Sequence, residues 1–250
     1  RQRQMCIRDR DEVIVTAIRA SSNTPVPYKV LDASDIARVN LGQDIPIILS
    51  MTPSVNITSD AGNGIGYTGM SIRGSDGSRI NVTINGVPLN DSESHATYWV
   101  DLPDFASSIS SIQIQRGVGT STNGAGAFGG SINVSTQNQS QSPRFILSNS
   151  FGSYGTLKNS ISFTTGSVGK YFEFSGNLSK IYSDGYIDRA SSNLKGYFLE
   201  GSYDKDKTNI KFIAFGGHER TYQAWYGLDR ETLSSDRKFN YAGMYFNDNG

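Results

Sequence analysis

The chain has 250 residues with a formal net charge of zero, 18% charged and 36% hydrophobic residues, and 27 glycines beside 13 tyrosines and 12 phenylalanines. Zero charge excludes steering toward nucleic acid or an acidic substrate. Low charge with much glycine and many aromatics suits a turn-rich β protein or a membrane barrel and excludes a helical bundle.

Residues 1–10 (RQRQMCIRDR) match nothing downstream in style and are expected to be a non-native leader. They hold the single cysteine, Cys6, so no disulfide or cysteine-built metal site is available elsewhere. No apolar core of a secretory signal follows them. The best apolar run, residues 45–51 (IPIILSM), falls short of the ~18–20 residues of a membrane helix. Alternating strands could still cross a bilayer. Asp11, Glu12, Val13, Ile14, Val15, Thr16 and Ala17 (DEVIVTA) form a β-favouring run next to a polar stretch containing prolines. It reads as a first strand, or as an edge on which another chain can pair.

From residue 28 to 57 short strand and helix signals alternate. Asp32 or Ser34 can cap a helix running through Val39, and a second helix over residues 44–50 is stopped by Pro53. Strands are predicted at 71–73, 79–84 and 87–89, with Asn85-Gly86 between the last two as a hairpin signal. Residues 111–116 (SIQIQR) and 131–136 (SINVST) alternate cleanly. Residues 18–137 therefore read as a small mixed α/β domain.

Residues 138–143 (NQSQSP) are a polar connector, and beyond them no helix signal appears. Leu157, Ile161 and Phe163 oppose Lys158, Ser160, Ser162 and Thr164. Phe172, Phe174 and Leu178 oppose Glu173, Ser175, Asn177 and Ser179. Tyr197, Leu199 and Tyr203 continue the pattern, with Phe198 as a blemish, and 210–215 adds a strand. Short turns (166–170, 204–207) alternate with longer connections (183–192, and from 217 on). One apolar and one small polar face, with short and long connections, is the repeat of an outer-membrane barrel; a soluble sandwich is the competing reading.

Gly124, Gly126 and Gly129 spell GxGxxG, the spacing of a dinucleotide-binding turn, and would make the chain a soluble nucleotide-binding enzyme. That reading requires a helix after the glycines to meet the pyrophosphate. Instead Gly130 and the β run SINVST come next, and no GK[ST] is present. Turns and close backbone packing are the better use of these glycines.

The ordered motifs TPSV (52–55), SIRG (71–74), INGVPL (84–89) and IQRG (114–117) with the following NGAGAFGGSINVST resemble the plug domain of TonB-dependent outer-membrane receptors. DEVIVTA is similar to the family's TonB box. The resemblance covers roughly residues 11–137 and extends into residues 144–250 as first barrel strands.

The resemblance implies a mixed α/β plug followed by antiparallel strands of an incomplete transmembrane barrel, which in the intact family has about 22 strands. Residues 144–250 suffice for about five or six, so the chain is expected to be a fragment. It implies a bacterial outer-membrane location and no enzyme activity. Cargo uptake is energised by the inner-membrane TonB complex acting on residues 11–17, with lipid and a small ligand, such as a metal chelate, as further partners and no cofactor. Carried over by position, the segments 59–67, 75–78 and 92–99 should face the ligand, with Asn63, Tyr67, Asp76, Ser78, His95, Tyr98 and Trp99 as candidates and no metal site. For Tyr98 and Trp99, core packing is the alternative. Arg73 and Arg116, each before a glycine, resemble the arginines that hold plug to barrel through carboxylates. An iron–siderophore importer leads. A plug-bearing ligand sensor and an oligosaccharide importer with a surface lipoprotein partner share the architecture. Loop 221–228 (TYQAWYGL) would suit a sugar or a planar chelate equally.

Overall fold

A computed structural model describes residues 19–21, 24–119, 126–136, 142–222 and 224–245. Residues 1–10 and 11–17, Gly124 and most of the connector lie outside this set.

The first half is built around a five-stranded mixed sheet of order β1-β6-β7-β4-β5. Its strands are β1 (Tyr28–Asp32), β4 (Ile80–Ile84), β5 (Val87–Pro88), β6 (Ile109–Arg116) and β7 (Gly130–Thr136). A ribbon of β2 (Val55–Ser59) and β3 (Thr68–Ile72) and two short helices, α1 (Ala33–Val39) and α2 (Ile45–Leu49), complete this globule. Local chemistry sets their limits. Of the two candidate caps for α1, Asp32 serves: its Oδ1 accepts from the Ser34 and Asp35 amides at 2.8 and 2.9 Å. Pro46 sits in the first turn of α2, where no amide is needed. Asn85 and Gly86 adopt φ of 47° and 86°, the positive values a tight hairpin demands.

β7 is buried along its whole length, parallel to β4 and antiparallel to β6. A strand thus stands where a dinucleotide site needs a helix, and the nucleotide reading is overturned. Gly130 serves packing instead: a Cβ there would lie 2.6 Å from the Gln115 carbonyl oxygen and 2.9 Å from Ile72 Cδ1. The ribbon was only half legible, because β3 begins at Thr68 and ends at Ile72, leaving Arg73 in a left-handed turn at φ 51°.

The second half is an antiparallel meander, β8 (Arg144–Phe151), β9 (Leu157–Thr164), β10 (Phe172–Ser183), β11 (Ser192–Lys205) and β12 (Thr208–Thr221). It is an open wall, not a closed barrel. Phe145, Leu147, Phe174, Leu178, Leu199 and Phe212 lie exposed on one face, a larger apolar surface than a soluble monomer displays. Lys158, Ser160, Glu173, Asn177, Ser179, Glu200 and Ser202 are buried on the other, against the globule. Phe198 is no blemish: it sits on the inner face and stacks edge-on with Phe105 of the globule, ring centroids 5.6 Å apart. Ile181 and Leu194, also inward, pack with Ile65 and Val100. One expectation fails: a helix does follow the connector, α3 (Arg230–Ser235), whose cap Asp229 accepts from the Thr232 amide at 2.8 Å. Among the described residues no helix is long and apolar enough to cross a membrane, which says nothing of strands.

Candidate functional site

Three loops of the globule gather near the end of the wall where β10 meets β11 and β12 ends. The β2–β3 loop is seated against it: the Tyr186 amide donates to Ala61 O at 2.8 Å, and Asn63 Nδ2 donates to Ser183 Oγ at 2.7 Å. Tyr67 OH donates to Glu219 Oε1 on β12 at 3.3 Å. Burial, and then Glu219, push the Tyr67 phenol above its ordinary pKa. In the next loop Asp76 Oδ1 accepts from the Ser78 hydroxyl and amide at 2.5 and 2.9 Å, which hold its carboxyl below the usual range. In the third, Asp91 accepts from Ser94, and Asn90 ties the loop to β4 by accepting from the Val82 amide and donating to Ile80 O.

These loops enclose a groove of about 500 Å³ lined by Tyr67, Asp76, Ser78, Tyr98 and Trp99, with Thr58, Asp60, Thr68 and Thr97. A second hollow of about 430 Å³ shares Ala96, Thr97 and Tyr98 and runs on past Asp101 to Glu219. The structure therefore brings five of the seven sequence-derived candidates to one groove. Asn63 is instead engaged with the wall, and His95, exposed at φ 57°, does not line either hollow. Tyr98 and Trp99 part company. Tyr98 is 49% exposed, whereas Trp99 is 4% exposed and belongs to the globule's core, so its expected role as an outward-facing apex is corrected to packing. Sequence reasoning reached Asp60 and Thr97 only as members of segments 59–67 and 92–99 and missed Glu219, because only the fold brings β12 to these loops. Among the described residues no cluster of three or more His, Cys, Asp or Glu gathers to hold a metal.

Below the groove the segment between two 3-10 turns, Trp99–Asp101 and Phe105–Ser108, docks on the wall. Pro103 enters a notch opened by paired glycines: a Cβ on Gly196 would stand 2.5 Å from Pro103 O, and one on Gly217 2.9 Å from Pro103 Cδ. Asp104, left-handed at φ 54°, meets Lys158 Nζ of β9 at 2.5 Å, with both side chains buried (0% and 3% exposed). Ser107 Oγ, Asn177 Nδ2 and Asn40 Nδ2 also donate to the Asp104 carboxylate, and Lys158 donates to Asn40 Oδ1. Phe105 closes the contact between Phe198 and Phe215. Farther along the wall Thr136 Oγ1, at the end of β7, donates to Glu200 Oε2 at 2.6 Å, and Glu200 pairs with Lys211.

A family model, the TonB-dependent Receptor Plug Domain, matches residues 20–131. The chain carries the plug of a TonB-dependent receptor. Solved structures agree on the fold. The siderophore receptor PirA from Acinetobacter baumannii is 17% identical, with 79% of this chain and 32% of that one covered and a TM-score of 0.59. The ferric yersiniabactin uptake receptor FyuA from Yersinia pestis gives 18%, 80%, 33% and 0.63. The copper transporter OprC gives 17%, 82%, 33% and 0.67. The chain thus spans about a third of the length of these receptors. No curated protein matches it in sequence. TonB-dependent receptors are outer-membrane proteins, not enzymes; they bind small ligands and interact with TonB.

The expectation placed on the arginines concerns carboxylates of the barrel, of which this chain holds the strands β8 to β12 among its described residues. Among the described residues neither Arg73 nor Arg116 pairs with a carboxylate. Arg73 is exposed with its guanidinium over Gly117, and Arg116 donates to Pro53 O at 3.4 Å. Among the described residues the plug–wall ion pair is Asp104–Lys158, and Thr136 adds a hydrogen bond from the plug onto Glu200, which pairs with Lys211 within the wall. The box-like residues Asp11 to Ala17 lie outside the described set. The segment just after them is tied down. Arg19 donates to Ser111 Oγ and O and to Asn133 O at 2.9, 3.2 and 3.0 Å, while Gln113 exchanges two hydrogen bonds with the Ala20 backbone.

Proposed function

We propose that this chain belongs to an outer-membrane importer that captures a scarce small ligand at the cell surface and admits it when TonB pulls on residues 11–17. The observation that supports this reading is the groove. Tyr67, Asp76, Ser78 and Tyr98 converge on one concave, half-polar surface at the wall end that holds the long connections, the form a small-molecule site takes. The β-favouring sequence of residues 11–17 suits recognition by strand pairing with TonB. The Arg19–Ala20 tie is the first described contact with the plug sheet that such a pull would load. No bond of the cargo is made or broken. Metal chelates are the favoured cargo, since PirA and FyuA are named for siderophores and OprC for copper. An oligosaccharide importer working with a surface lipoprotein is the second reading. Tyr222, Trp225 and Tyr226 stand about 60% exposed beyond β12 and are compatible with it, since they would stack on sugar rings as readily as on a planar chelate.

The test is deletion of residues 11–17 from the intact receptor. Energised uptake is expected to vanish while surface binding of ligand persists. Uptake that survives the deletion refutes the box assignment and the import mechanism with it.

A further inference from the structure

We infer that the groove and its adjoining hollow select a neutral or cationic cargo rich in O–H or N–H donors, and reject polyanionic chelates. The inference rests on the import reading above and sharpens its cargo class. The two hollows form one trough through their shared Ala96, Thr97 and Tyr98. Asp60 and Asp76 line one half, and Asp91, Asp101 and Glu219 the other; among the described residues no lysine, arginine or histidine lines either. The nearby cations are turned elsewhere. Arg79 lies over the Phe128 ring at 5.2 Å. His218 and Arg220 flank Glu219 on β12, so strand alternation directs them to the outer face.

Hydrogen-bond satisfaction gives a second and independent argument. Glu219 Oε2 and Thr97 Oγ1 are buried at the trough, yet neither has a hydrogen-bond partner among the described residues. Buried polar atoms in native proteins are almost always partnered. A carboxylate oxygen can only accept, so what completes Glu219 must bring a donor or a positive charge. Tyr67 occupies the other oxygen of the same carboxylate and aims Glu219 at the trough. Tyr98 adds an exposed aromatic wall against which a donor-bearing ligand can rest. An anion entering here meets carboxylates of like charge across short, partly desolvated distances, each approach weakening affinity by on the order of tenfold.

The experiment measures equilibrium binding to the purified full-length receptor at low ionic strength, with three iron(III) probes: a cationic linear trihydroxamate complex, a neutral cyclic trihydroxamate complex and an anionic triscatecholate complex. The same titrations are run on the Asp60→Asn/Glu219→Gln receptor, which keeps the side-chain shapes and one acceptor oxygen of each while removing both charges. The cationic and neutral probes are expected to bind about a hundredfold more tightly than the triscatecholate, and the gap should shrink about tenfold in the double variant. Triscatecholate binding as tight as the cationic probe overturns the inference. So does a gap that the variant leaves untouched, or refusal of all three probes. Binding is read here without any energy source. An outcome in either direction is therefore separate from the box deletion, which tests import alone.

Discussion

Replacing Lys158 by Met tests whether the buried pair with Asp104 fixes the plug in the wall. Methionine keeps most of the volume and removes the ammonium group. The Asp104 carboxylate then stays buried with only Ser107, Asn177 and Asn40 as donors, at 2.6, 3.3 and 3.4 Å. Removing one partner of a buried pair costs about 3–5 kcal/mol, because the remaining charge is uncompensated. The three neutral donors place this site at the lower end, about 3 kcal/mol. Hydrogen exchange on the intact receptor reads this locally. The amides of Phe105 and Ser107, which bond to Leu102 O and Asp104 O, should lose about a hundredfold in protection, tenfold being about 1.4 kcal/mol. The Asp104→Asn/Lys158→Met receptor should regain most of that loss. It leaves no orphaned charge, and asparagine tolerates the left-handed backbone at this position. A single variant within about threefold of the parent, or a double variant as unprotected as the single one, refutes the account.

Two further outcomes follow from the packing and from a buried acid. Gly196→Val pushes a side chain into Pro103 O, and overpacking at such a contact costs about 1–3 kcal/mol; exchange protection over residues 102–108 should fall while β11 itself stays protected, and unchanged protection refutes the notch. Asp44 is buried and accepts from the Thr68 hydroxyl at 2.8 Å, and burial raises its carboxyl well above the ordinary 3.8. Because the folded pKa exceeds the unfolded one, the contribution of Asp44 to plug stability is greatest below 3.8, falls as pH climbs through the folded value and then levels off. Asp44→Asn should flatten that slope and stabilise the plug at neutral pH, as urea titrations across pH would show; a slope that survives the substitution places its origin elsewhere.

The strands and faces were legible because they follow from period and turn chemistry. The inner and outer residues of β9 to β11 separate by alternation alone, and Asn85-Gly86 announces its hairpin. Phe198 looked anomalous only because the partner that explains it, Phe105, is far away in sequence. The site was legible in part. Asp76 and Ser78 belong to a turn whose chemistry is local, and Tyr67 and Tyr98 were named by position. For Trp99 the packing alternative holds, because the 3-10 turn it begins directs the ring into the core. Lys158 and Asp104 carried no signal of their own. Only the assembled fold brings the lysine of β9 to its carboxylate. The arginines drew attention as motif residues, and among the described residues neither has a carboxylate partner. α3 went unseen because six residues within a loop have too few turns to show a period.

The row Ser160, Ser179, Gly196 and Gly217 crosses four consecutive strands at one level of the wall. The notch that receives Pro103 lies in this row, and the side chains that grip Asp104 and Phe105 come from the same strands and from the plug itself. One level of the wall thus acts as a depth stop: its two glycines admit Pro103 there, and a side chain at either one would lift the plug off that level.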